Sequence, residues 1–237
     1  MIVSRLMCAA IPVAAMSMAA MPASAQTVAA VMTPAPPPEI APAPAPAPVP
    51  AVQHVTLNTA HGAIIIAVEV ERAPISAANF LRYVDARRLD GVTFYRAMDL
   101  GRGYGLIQGG TRGAPRITYP AIAHEPTSRT GLSHVDGAIS FARLAPGTAS
   151  GDFFITIGAL TSLDAQAQGS GGDTDGFAVF GRVLQGMDVV RAILAAPTDP
   201  NAGEGVMRGQ MIAAPVRIVT ARRSAVPVVE TEAVPTP

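Results

Sequence analysis

The chain has 237 residues and carries 17 Lys+Arg against 17 Asp+Glu, so its formal net charge is zero. Every basic residue is an arginine, and this balance supports neither a polyanion-binding groove nor a polybasic membrane arm; no nucleic-acid partner is expected. The single cysteine excludes a disulfide framework and a cysteine-based zinc site.

The 49% hydrophobic content is unevenly distributed, because all seven Phe and four Tyr fall between Phe80 and Phe180 and much of the rest is alanine. One folded domain over residues 52–223 with non-globular flanks is expected. Residues 1–25 read as a secretory signal. Arg5 supplies the positive start, residues 6–20 the apolar stretch, and Ala23-Ser24-Ala25 the small-residue motif, with cleavage expected after Ala25. The apolar stretch is shorter than the ~20 residues a spanning helix needs, so no membrane span is expected in the mature protein. Cys8 lies inside the stretch without the small residues that precede a lipidated cysteine, and is expected to leave with the leader.

Residues 26–51, with nine prolines between Pro34 and Pro50, read as a disordered Pro/Ala-rich linker. Proline fixes φ and removes amide donors, so a semi-rigid polyproline-II spacer of ~3.1 Å per residue is expected. Residues 224–237 read as a disordered tail.

Two β-rich runs, 53–59 and 63–70, flank Ala60-His61-Gly62, a hairpin signal. Pro74 opens a helix where its missing N–H costs nothing, and Ile75, Ala78, Leu81 and Val84 give that helix an apolar stripe. Short strands follow at 92–98, 106–108, 138–142, 153–157 and 178–183. Gly186 precedes a second helix, whose Met187, Val190, Ile193 and Leu194 face one way, and Pro197 ends it. The last strand is expected at 216–221. Many strands with two separated helices favour an antiparallel barrel or sandwich with helical caps over a βαβ fold. Gly169-Ser170-Gly171-Gly172 lacks the lysine and helix start of a phosphate loop and reads as a flexible linker.

The best local lead is Gly91-Val92-Thr93-Phe94-Tyr95-Arg96. Strand parity places Arg96 on the face of Val92 and Phe94, and an arginine on an apolar face needs partners. The four histidines, His54, His61, His124 and His134, lack metal-ligand spacing, so exposed or core-satisfied roles are expected and no metal. Ser133, His134 and Asp136 are adjacent in sequence, which is not how a hydrolytic triad is assembled.

Five ordered blocks sharpen this. They are Phe94-Tyr95-Arg96, Gly105-Leu106-Ile107-Gln108-Gly109-Gly110, Gly137-Ala138-Ile139-Ser140-Phe141-Ala142-Arg143, Gly151-Asp152-Phe153-Phe154-Ile155, and Phe177-Ala178-Val179-Phe180-Gly181-Arg182-Val183. In this order they closely resemble the motifs of the cyclophilins, peptidyl-prolyl cis-trans isomerases, and Ala142-Arg143 looks like the bacterial periplasmic branch. The resemblance implies an eight-stranded antiparallel β-barrel capped by two α-helices, and a periplasmic monomer that acts on proline-containing polypeptide clients without a cofactor. It gives Arg96 the catalytic role, directed at the prolyl nitrogen. It places Leu106, Phe154 and Leu163 in an apolar cup for the proline ring. Gln108 would hold Arg96 and bond the peptide backbone, and Ala142 and Arg143 would line the peptide groove. Glu125, after His124, matches a structural glutamate.

Several positions differ from the family pattern. About four extra residues lie near Asp99, and Gly105 stands where the family has a pocket phenylalanine; Tyr104, one residue earlier, is expected to fill that space. Asp152 replaces a glutamine, and its carboxylate is expected either to pair with Arg96, competing with the prolyl nitrogen, or to select substrates with a basic residue near the proline. Ser162 replaces the aromatic before Leu163, and Phe177 stands where many members have histidine. The expected function is isomerisation of X–Pro bonds during folding of exported proteins. The alternatives are a proline-peptide binding or chaperone module with little or no isomerase activity, and a domain tethered to envelope partners by its Pro-Ala segment.

Overall fold

A computed structural model describes residues 51–166 and 174–225. The expected leader, the Pro-Ala segment through residue 50, the glycine run at 169–172 and the tail from residue 226 lie outside the described residues.

The chain begins with the hairpin expected from its turn residues. Strand β1 (Gln53–Thr59) runs antiparallel to β2 (Gly62–Val68), with Thr59 opposite Gly62 so that Ala60 and His61 make a two-residue loop. Helix α1 (Pro74–Asp85) follows. Its buried stripe is Ala77, Phe80, Leu81 and Val84, whereas Ala78 is exposed, so the helix is rotated from the expected stripe. The reason is packing: the Phe80 ring lies 5.6 Å from Phe153 and 5.0 Å from Phe180, and a buried aromatic outweighs an alanine in choosing the inner face.

Strands β3 (Thr93–Gly101) and β4 (Tyr104–Gly110) form a second hairpin. A one-turn helix α2 (Thr127–Thr130) precedes β5 (Ala138–Phe141) and β6 (Asp152–Ile157). Then come β7 (Ala178–Gln185), helix α3 (Met187–Leu194), the short β8 (Thr198–Asp199) and the long β9 (Met211–Ser224). The strand order is β1-β2-β7-β5-β6-β4-β3-β9, and β1 pairs with β9 to close the circle. The result is the closed eight-stranded antiparallel barrel that was expected, with β8 attached outside to β9. Closure leaves no unpaired edge among these eight strands.

Alternation along the strands divides inside from outside. Phe153, Ile155 and Ile157 of β6 join the main core, while Phe154 belongs to a separate apolar cluster with Leu106 and Leu160. Helices α1 and α3 contribute Phe80, Val84, Val190 and Ile193 to the main core. The first turn of α1 lacks a side-chain cap of its own. Glu125, 1% exposed, fills that role from fifty residues away by accepting the N–H groups of Ile75 (3.1 Å) and Ser76 (2.7 Å).

The strand-parity reading of β3 fails at one point. Phe94 pairs with Gly109 and Arg96 with Gln108, so Tyr95 is an extra residue in a β-bulge. A bulge shifts the alternation by one. Phe94 therefore sits in the core, and Arg96 emerges in a cleft on the outside of the barrel.

Candidate active site

The cleft has a volume of 550 Å³ and lies over the outer face of β4 and β6. Arg96 comes from β3, Leu106 and Gln108 from β4, and Asp152 and Phe154 from β6. Ala142 and Arg143 follow β5, Leu163 ends a 3-10 turn (Thr161–Leu163), and Phe177 precedes β7. These nine of the ten residues named from the sequence thus share one cleft.

Tyr104 does not. It pairs with Gly101 at the tip of the second hairpin, is 46% exposed, and lies over Gly158. The expectation that it fills the space of the family's phenylalanine is therefore corrected. Nor could residue 105 supply that ring, since a Cβ there would stand 2.4 Å from the Met98 carbonyl oxygen and 3.1 Å from Leu194. Met98, two residues past Arg96 on β3, lines the cleft instead. Sequence reading also missed Leu160, and Val206 and Met207 from the segment before β9. Nothing local marks the last two, because only the return of β9 to β3 brings them to the cleft.

Arg96 is half-buried. Its Nη1 donates to Gln108 Oε1 (2.8 Å), and its Nε and Nη2 donate to Gln210 Oε1 (2.9 and 2.7 Å). Burial pulls the guanidinium below its ordinary pKa, yet an arginine stays cationic at neutral pH. The expected pairing of Asp152 with Arg96 is absent. Asp152 Oδ1 instead accepts from the Arg112 backbone N–H (2.8 Å) and the Tyr95 hydroxyl (3.3 Å). The bulge explains this, since it turns the Tyr95 hydroxyl between Asp152 and Gln108. Burial raises the Asp152 carboxyl above its ordinary value, against the opposing pull of the Arg112 N–H. Burial, with Asp152 beside it, also keeps the Tyr95 hydroxyl protonated far above its usual range.

The apolar floor is stiffened from behind. Phe154 stacks on the His134 ring (5.7 Å, 10°) and meets Phe177 edge-on (5.5 Å). Arg143 lies over the Phe177 ring at 4.9 Å, and its Nε donates to the Gly176 carbonyl (2.9 Å). His134 is fully buried; Nδ1 lies 2.6 Å from Asp164 Oδ1 and Nε2 lies 3.1 Å from Ser140 Oγ. Serine, histidine and aspartate thus meet in space, but Ser140 is itself fully buried, so no substrate reaches its hydroxyl. The histidine is a satisfied core residue. Among the described residues, no group of three His, Cys, Asp or Glu side chains is gathered to hold a metal ion.

A cationic donor at the edge of an apolar cup suits a reaction that twists a bond without breaking it. The matching family is cyclophilin type peptidyl-prolyl cis-trans isomerase/CLD, whose sequence model spans residues 54–222. The chain belongs to this family. It is a cyclophilin-type enzyme, an isomerase, and cyclophilins bind proline-containing peptides. The cyclophilin domain is 34% identical over 155 residues to peptidyl-prolyl cis-trans isomerase A of Dickeya dadantii, covering 63% of this chain and 75% of that protein. It is also 34% identical over 148 residues to a peptidyl-prolyl cis-trans isomerase of Acinetobacter baylyi, covering 61% and 73%. A solved cyclophilin-type isomerase of Cryptosporidium parvum shares the fold, with a TM-score of 0.57 at 17% identity, covering 75% of this chain and all of that one.

Proposed function

We propose that this cyclophilin is exported to the periplasm, where it acts as a monomer and accelerates X–Pro isomerisation in exported polypeptides as they fold. The leader-like residues 1–25 support export. Uncatalysed rotation about the X–Pro bond takes tens to hundreds of seconds, because twisting breaks amide resonance against a barrier of ~20 kcal/mol.

In this reading the proline ring seats on Leu106, Phe154 and Leu163, and Ala142 and Arg143 hold the preceding residues extended. Arg96 donates to the prolyl nitrogen as it becomes pyramidal. In the planar amide that lone pair is delocalised, so the contact strengthens only in the twisted state, which is the condition for catalysis. Asp152 lies beside the peptide path, where its carboxylate favours clients with a basic residue near the proline. The observation that carries the reading is the Arg96 guanidinium held by two glutamine carbonyls at the rim of the apolar cleft.

Isomerisation of an X–Pro peptide by the chain and by Arg96→Ala tests it. A fall in kcat on the order of 10²-fold is expected; an unchanged kcat would overturn the catalytic assignment. Fractionation of the source cells tests the location, with a chain beginning at Gln26 expected in the periplasmic fraction. A full-length chain confined to the cytoplasm would refute export.

A further inference from the structure

Gln210 lies 114 residues from Arg96 in sequence and makes more hydrogen bonds to it than Gln108 does. A guanidinium has five N–H groups. In this cleft Nε and one Nη2 group point at Gln210 Oε1, one Nη1 group at Gln108 Oε1, and the other Nη2 group at Met98 Sδ (3.6 Å). One N–H on Nη1 is left over. Arg96 on its long stem has many rotamers, so holding that single donor in one direction takes more than one acceptor.

Gln210 is itself tethered on every side. Its Nε2 donates to the Val206 carbonyl (2.8 Å), its N–H to the Met207 carbonyl (3.1 Å), and its carbonyl accepts from Ala97 N–H (2.9 Å). Val206 and Met207 form a wall of the same cleft, and Val206 is 87% exposed. The side chain that orients the guanidinium is thus fastened to the wall a bound peptide would press against.

We propose that Gln210 is a positioning residue for the isomerase reaction: it aims the one uncommitted Nη1 N–H of Arg96 at the prolyl nitrogen and ties that aim to the Val206–Met207 wall. The proposal rests on the catalytic assignment of Arg96. Its signature is a loss of kcat at nearly constant KM, because misaiming the donor weakens the twisted state more than the planar ground state.

The test compares kcat and KM for an X–Pro peptide among the chain, Gln210→Met, Arg96→Ala and the double variant. Methionine matches the length of glutamine but lacks its amide acceptor. A charge-assisted hydrogen bond of ordinary strength predicts that Gln210→Met lowers kcat on the order of tenfold with KM little changed. In the Arg96→Ala background the same substitution should have no further effect on kcat, whatever it does to thermal stability. Gln210→Glu, which keeps two acceptors on the guanidinium, should hold the aim better than methionine and recover part of kcat. An unchanged kcat in Gln210→Met, an equal loss in both backgrounds, or a loss confined to KM overturns the role of Gln210 alone. An unimpaired Arg96→Ala overturns the assignment of Arg96 and this proposal together.

Discussion

The Tyr95 hydroxyl donates to Asp152 Oδ1 at 3.3 Å and accepts from Gln108 Nε2 at 2.8 Å, so Asp152 reaches Arg96 only through two intervening side chains. Oδ1 of the carboxylate is therefore engaged by Tyr95 and by the Arg112 backbone, not by Arg96. A competition between Asp152 and the prolyl nitrogen for Arg96 has no geometric basis.

Asp152→Asn keeps the Oδ1 acceptor for both partners. Its kcat/KM on a peptide without basic residues is expected within about threefold of the parent, a change below about 0.7 kcal/mol. Stability should respond to pH. Burial raises the folded-state pKa of Asp152 above its ordinary 3.8, so its contribution is fully present below that value and is lost as pH rises through the folded-state pKa. Asparagine has no such loss. Thermal melts at pH 3.5 and pH 7 should show the variant gaining on the parent at the higher pH; a gain at the lower pH contradicts this.

His134 works in the opposite direction. Burial lowers its folded-state pKa below the ordinary 6.5, against the pull of Asp164. Its stabilising contribution is present above about pH 6.5 and is lost as pH falls from there through the folded-state value, because the unfolded chain binds the proton first. Urea midpoints at pH 7.5 and 5.5 should fall more steeply for the parent than for His134→Gln. Because the His134 ring supports Phe154, the variant should also bind proline peptides more weakly at pH 7.5.

Glu125→Ala removes the carboxylate that accepts the N–H groups of Ile75 and Ser76. Leaving these helix-start donors without a protein partner should cost about 1–3 kcal/mol. Urea denaturation should show a lower midpoint at an unchanged m value, and an unchanged midpoint would mean that water satisfies the helix start equally well.

Restoring the family's residue with Gly105→Phe is expected to fail. The new Cβ would meet the Met98 carbonyl at 2.4 Å and Leu194 at 3.1 Å, inside the β3–β4 ladder. Such overpacking costs about 1–3 kcal/mol, so a lower melting temperature without a gain in kcat/KM is expected. Higher activity at equal stability would show that the strands can shift to admit the ring.

Much of the fold could be read along the chain because its signals are local. The turn at Ala60 and His61, the proline opening α1 and the apolar runs of β2, β5, β6 and β7 each sit within a few residues of the element they specify. The rotation of α1 was not readable, because period alone cannot say that Phe80 outweighs Ala78 until Phe153 and Phe180 stand opposite it. The early start of β9 at Met211 was hidden for a similar reason. Residues 211–215 have no strong β pattern and are held by β8 and the first part of the ladder with β3.

By itself the sequence determined the barrel through its local strand and turn signals, and the resemblance carried by its ordered motifs gave the family and nine of the side chains that line the cleft. Only the tertiary structure decided how those side chains are used. A single extra residue at Tyr95 reversed the face of Arg96, gave Asp152 a tyrosine as partner, and left the guanidinium to Gln108 and Gln210. Tyr104 was excluded from the cleft by its place at a hairpin tip, and Met98 lines it instead. Hydrogen bonds act over about 3 Å, and a partner 114 residues away comes within that reach only when the closed barrel returns β9 to the side of β3.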